Sequence, residues 1–221
     1  MKPPMPIPCL CLVTDRRLCH SDPQELEERV TRAVKGGVNL VQLREKDLSG
    51  GQLLELAERL RKVTRGLALL FINERVDVAV ACGADGVQLG EEGMPVEAAR
   101  KVAGESLLIS RSVHSQEGAL TAEAQGADFL VVGTIFPTGS HPGAEAAGPQ
   151  LLSSIAGRTS IPFAGIGGIN TANVSQVISA GASGAAVISA ILAAEDPELA
   201  ARELRMAIDV AWRARQEVAI R

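Results

Sequence analysis

Gln42, Arg44 and Lys46 occupy every second position of the stretch LVQLREKD, residues 40–47. On an extended chain alternate side chains share a face, so one amide and two cations project together where an apolar run ends. Removing an unpaired cation from water costs several kcal/mol, so an anion should meet them. Asp15, Glu45 and Asp47 could supply it from within the chain, and an anionic substrate could supply it from outside. A second set of residues suits oxyanions as well. AGIGGIN (164–170) and VISAI (187–191) carry Gly167, Gly168 and Ser189. Glycine lets backbone N–H groups approach a phosphate closely, and a serine hydroxyl adds a donor. The stretch FPTGSHPG (136–143) adds Thr138, Ser140 and His141.

The elements that must hold these residues recur along the chain. VKGGVNLVQL, ACGADGVQLG, AQGADFLVVG and SAGASGAAVIS each pass from a helical pattern through glycine into a short apolar run. Gly36, Gly83, Gly126 and Gly181 stand where a helix end calls for a left-handed residue. The runs that follow are nearly continuous in apolar residues, as expected of parallel strands buried on both faces. Strands are expected near 9–14, 40–44, 67–72, 86–89, 107–112, 129–135, 162–166 and 184–188. Amphipathic segments separate them, and a long last helix is expected over 197–217. The pattern predicts an α/β fold, a single-domain (β/α)8 TIM barrel over 1–221 with its core at about 9–200. An open doubly wound sheet is the alternative, since alternation alone does not show closure. In a barrel, chemistry belongs to the C-terminal ends of the strands. Gln42, Arg44 and Lys46 leave their strand on that side. Asp85 and Asp128 enter theirs, which makes them structural.

Composition narrows the possible partners. Of 221 residues, 46% are hydrophobic and 22% charged, an ordinary globular balance. The net charge is −4, with 2% aromatics and no tyrosine, which argues against nucleic acid. No apolar run approaches a membrane span, and the four prolines among the first eight residues break any signal-type run. The four cysteines form no CxxC pair, so a reduced, cytoplasmic setting is expected. Small molecules, or further copies of the chain as a homo-oligomer, are the expected partners.

QLREK, INERVDVA, ADGVQLG, SRSVHS, GADFLVVGTIFPTGS, AGIGGI and VISAI occur in an order that resembles the thiamine phosphate synthases and their TenI-like relatives. That resemblance implies a barrel enzyme joining a hydroxymethylpyrimidine diphosphate to a thiazole phosphate with Mg²⁺, releasing pyrophosphate. It places Gln42, Arg44, Lys46 and Asn73 on the pyrimidine diphosphate, with Arg44, Lys46 and Ser112 as the catalytic set. Thr138, Ser140, His141, Gly168, Ile188 and Ser189 fall to substrate binding around the thiazole phosphate, and Glu74 and Glu92 to the metal. The same resemblance admits a thiazole tautomerase or a silent thiazole phosphate-binding barrel.

The chain departs from the family pattern at three points. Glu74 stands where the family commonly has Asp, and Gly93 where it commonly has a second carboxylate. Ser140-His141 replaces the usual Thr-Lys. Asn73 and Glu74 also fit a helix start, as cap and first-turn residue. A tautomerase pattern places a histidine where this chain has Thr134, and His114 reads as a residue at the start of a helix.

Overall fold

A computed structural model describes residues 2–139 and 145–219. Ser140 and His141 lie outside the described residues. Eight parallel strands close into a barrel in chain order. They are β1 (Cys9–Val13), β2 (Leu40–Leu43), β3 (Leu69–Asn73), β4 (Gly86–Leu89), β5 (Leu108–Val113), β6 (Phe129–Val132), β7 (Phe163–Ile166) and β8 (Gly184–Val187). Closure comes from β8 pairing with β1, Cys9 opposite Gly184 and Leu12 opposite Val187. The doubly wound alternative is excluded. Between the strands run α1 (Pro23–Lys35), α2 (Gly50–Thr64), α3 (Val76–Ala81), α4 (Val96–Ala103), α5 (Gln116–Ala124), α6 (Pro149–Ala156) and α7 (Val174–Ser179). A short α8 (Ser189–Leu192) and the long α9 (Pro197–Ala219) complete the outer ring. The sequence pattern gave no sign of α8, which is a single turn and too short to show a period.

Alternation along each strand splits the core in two. Cys11, Val13, Leu40, Phe71, Leu108, Phe129 and Val131 fill the barrel lumen. Leu10, Leu12, Val41, Leu43, Leu70, Ile72 and Ile109 face outward against the helices. Among the described residues the lower lumen is thus packed with apolar side chains, and polar ones appear toward the C-terminal ends. Burial holds the Cys9 thiol up at about 12, so it behaves as a small hydrophobe and not as a nucleophile.

One glycine expectation needs correction. Gly83, Gly126 and Gly181 are left-handed, but Gly36 is right-handed and Gly37 carries the positive φ of 111°. Gly36 is small for another reason: a Cβ there would collide with the Glu198 carbonyl and come within 2.7 Å of Ala201 Cβ. It lets α9 lie close against α1.

Asp85 and Asp128 repeat one structural device at the N-terminal side. Asp85 accepts from the Leu70 N–H at 2.8 Å and from Arg61 at 2.7 Å. Asp128 accepts from the Ile109 N–H at 2.8 Å and from Arg100 at 2.6 Å. Each carboxylate ties the preceding strand to the helix that leads into that strand, β3 to α2 and β5 to α4, far from the site.

Candidate active site

A cavity of about 580 Å³ opens at the C-terminal end of the barrel. Gln42, Arg44, Lys46, Asn73, Glu74 and Ser112 line one side, and Thr138, Gly167, Gly168, Ile188 and Ser189 the other. Residues at or after the ends of β2, β3, β5, β6, β7 and β8 therefore meet around one cavity.

The acids near Arg44 and Lys46 are already engaged elsewhere. Glu45 is buried and accepts from the Thr14 hydroxyl at 2.7 Å, the Arg16 N–H at 3.0 Å and the Arg16 guanidinium at 3.3 Å. Asp47 takes the same guanidinium as a fork, at 2.6 and 2.7 Å. Asp15 accepts from Arg17 at 2.8 and 2.7 Å. The Arg44 N–H donates to Thr14 Oγ1 at 2.9 Å, which fixes the backbone where it enters Arg44. Among the described residues neither the Arg44 nor the Lys46 side chain has an ion-pair partner. The expected cost of burial is also smaller than supposed, because β2 ends at Leu43, Arg44 is only half-buried and Lys46 is exposed.

Burial pushes the Glu45 carboxyl above the usual carboxylate range, against its hydrogen bonds from Thr14 and Arg16. Asp47 goes the other way, held at about 2 chiefly by its hydrogen bond from Arg16. A lowered carboxylate pKa adds stability above the unfolded value, which is lost as pH falls through the folded one. Asp47→Asn should therefore flatten the fall in melting temperature between about pH 4 and pH 2. The change should be small, since the carboxylate is mostly exposed. An unchanged acid limb would show that the Arg16–Asp47 pair adds nothing.

Opposite the cations, the chain turns twice into left-handed backbone, at Gly167 (φ 104°) and Gly168 (φ 61°). The Phe136 N–H donates to Gly167 O at 3.0 Å, and Asn173 Nδ2 to Gly168 O at 2.9 Å. Those carbonyls are held while the N–H groups of Gly168, Ile169, Ser189 and Ala190 have no partner among the described residues. Such a cup of unspent donors fits a phosphate.

The metal side differs from expectation in detail. Asn73 is no helix cap: its side-chain oxygen accepts from Gln42 Nε2 at 3.0 Å, and α3 starts after Arg75 without a side-chain cap. Glu74 is left-handed, with φ 62°, and its Oε1 accepts from the Gly90 N–H at 2.6 Å. A Cβ at Gly93 would run into Glu74 Oε2. The longer acid at 74 thus fills the space that a side chain at 93 would need. Glu92 is exposed and lines an adjoining hollow together with Glu74, Lys46 and Arg75. Glu91 is engaged with His114, Nδ1 to Oε2 at 2.5 Å. Among the described residues no three His, Cys, Asp or Glu side chains cluster to hold an ion alone. Mg²⁺ commonly takes one or two carboxylates plus substrate phosphates, and Glu74 and Glu92 are two carboxylates lining one hollow. We expect Gly93→Asp to dislodge Glu74 from Gly90 and lower the melting temperature. Glu74→Asp in the same chain should restore it, and a double variant no better than Gly93→Asp alone would refute the steric link.

Sequence reasoning missed three positioning contacts. Arg16 was not expected to hold Glu45 and Asp47. Arg111 grips the loop after β4 through Met94 O and Glu91 O, both at 2.7 Å. His114 is tied to Glu91 and does not cap α5, whose cap is Ser115. None has a spacing signal, because each partner is 17 to 31 residues away.

Comparison with known proteins agrees with the geometry. Residues 10–191 match the family described as thiamine monophosphate synthase. A putative thiamine-phosphate synthase of Geobacter sulfurreducens is 47% identical, over 88% of this chain and 92% of that protein. The thiamine-phosphate synthase of Pyrococcus abyssi is 44% identical, over 90% and 94%. The solved thiamine phosphate pyrophosphorylase of Pyrococcus furiosus superposes with a TM-score of 0.84 at 42% identity, covering 92% of this chain and 96% of that one. With a family match over residues 10–191 and a relative 47% identical over 88% of its length, this chain belongs to the thiamine monophosphate synthase family.

Proposed function

We propose that this chain joins a hydroxymethylpyrimidine diphosphate to a thiazole phosphate, giving thiamine phosphate and pyrophosphate. The observation that carries the reading is that Arg44 and Lys46, with no ion-pair partner among the described residues, face the N–H cup across one cavity. Gln42, Arg44, Lys46 and Asn73 bind the diphosphate, and Ser112 touches the same substrate. Thr138, Ser140, His141, Gly168, Ile188 and Ser189 bind the thiazole phosphate. The pyrimidine methylene C–O bond breaks and its electron pair leaves on the diphosphate. The thiazole nitrogen then supplies the pair for the new C–N bond. That chemistry asks for stabilisation of the leaving charge more than for a base. Arg44 offers a planar fork to two oxygens, and Lys46 a point charge at the rim.

Glu74 and Glu92 would hold Mg²⁺, which when bound supplies charge to neutralise the diphosphate. With few protein ligands, the free protein should bind Mg²⁺ weakly while coupling depends on it strictly. A tautomerase is the weaker reading, because Thr134 stands at the expected histidine and His114 is turned to Glu91. No helix among the described residues is long and apolar enough to cross a membrane. A cytoplasmic setting goes with substrates of this charge.

The decisive experiment incubates the protein with both phosphorylated halves, with and without Mg²⁺, and measures thiamine phosphate. Formation only with Mg²⁺ is expected. No product, or equal product in chelator, would overturn the synthase reading or its metal part respectively.

A further inference from the structure

Gln88 sits inside the barrel on β4, only 3% exposed, and pairs in register with Ser110 of β5. Its Nε2 donates to Leu89 O at 3.2 Å and to Ser112 Oγ at 3.0 Å. A backbone carbonyl can only accept, so the atom facing it must be the amide nitrogen, and the amide orientation is fixed. The Ser112 oxygen is then a receiver, and its own O–H remains to be given. Among the described residues that O–H meets no acceptor, while Ser112 lines the cavity. Ser110 lies two residues earlier on the same face of β5, fully buried, and its hydroxyl has no partner among the described residues. The amide reaches past the nearer strand position toward the substrate side and leaves a buried hydroxyl unpaired. A purely structural amide would more naturally satisfy the buried group.

We propose that Gln88 is a positioning residue acting through Ser112, whose hydroxyl it holds as a one-way donor into the cavity. The substrate atom that meets Ser112 is then an acceptor, a diphosphate oxygen or a pyrimidine ring nitrogen, and not an amino group. This rests on the synthase reading above and specifies the polarity of one contact within it.

The test is a double-mutant cycle on Gln88 and Ser112, read as affinity for the pyrimidine diphosphate by calorimetry without the thiazole partner. Gln88→Glu offers Ser112 an acceptor and turns its O–H inward, away from substrate. Gln88→Met keeps the length and simply removes the donor. Gln88→Glu should weaken binding by roughly tenfold to a hundredfold, and Gln88→Met by less. In a Ser112→Ala background both changes should have little further effect, because the route runs through that hydroxyl. A general packing defect would instead add in full to the loss from Ser112→Ala. Inorganic pyrophosphate identifies the acceptor. If its affinity falls with Gln88→Glu the acceptor is a diphosphate oxygen, and if only the whole substrate weakens it is the ring nitrogen. Either supports the inference. Additive losses, or wild-type affinity in Gln88→Glu, overturn it while wild-type thiamine phosphate formation stands. A wild-type protein that makes no thiamine phosphate overturns the functional reading, and this inference with it.

Discussion

Arg44→Ala is expected to cut thiamine phosphate formation at least about a hundredfold, roughly 3 kcal/mol of barrier, without altering the melting curve. The fold should not register the loss, because the side chain has no ion-pair partner among the described residues and sits half-buried at the mouth. What anchors this stretch is the Arg44 N–H on Thr14 and the Glu45 carboxylate on Thr14 and Arg16, and both survive the substitution. Catalysis should register it fully, since charge grows on the diphosphate as the C–O bond breaks. Arg44→Lys keeps the charge but loses the fork, so it should fall between the two. A matched fall in kcat and kcat/KM would mark an interaction made only in the transition state, whereas a rise in KM alone would mark simple substrate binding. Near-native turnover in Arg44→Ala would remove Arg44 from the leaving-group role.

The sequence made the barrel legible because its strands are short apolar runs punctuated by glycine, a local signal repeated around the fold. Closure between β8 and β1 leaves no such mark, since Cys9 and Gly184 meet only through the global count of strands. At the site, Gln42, Arg44 and Lys46 announced themselves by alternation against an apolar run. The reason Arg44 and Lys46 have no ion-pair partner among the described residues did not, because it depends on Arg16, after β1, drawing off Glu45 and Asp47. Glu74 shows the same limit. Its type suggested a helix start, but the left-handed backbone and the bond to Gly90 arise from how β3 meets β4. Periodicity reports which face a side chain takes. It says nothing about which distant partner is waiting there.

Gly168→Val should have the second large effect, and it should be twofold. Weakened thiazole phosphate binding is what the chemistry of the cup predicts, because a branched side chain blocks the approach to the N–H group. The structure adds a cost to the fold. At φ 61° a β-branched residue is strained, and its Cβ would collide with the Pro137 carbonyl and come within 2.9 Å of Phe136 Cβ. Backbone, and a Cβ fixed to it, cannot yield as a flexible side-chain end would. A loss of about 2–4 kcal/mol follows, which for a chain of this size lowers the melting temperature by roughly 5–15 °C. The two effects can be separated by measuring phosphate and thiazole phosphate affinity well below the variant's own melting temperature. Ser189→Ala serves as the comparison, since it removes one exposed hydroxyl and leaves the backbone donors in place. It should leave the melting temperature unchanged and weaken the phosphate only a few-fold, on the order of 1 kcal/mol. If folded Gly168→Val still binds thiazole phosphate as the wild type does, the phosphate does not rest on this N–H. The two left-handed glycines would then be needed only to turn the chain beneath Phe136 and Pro137.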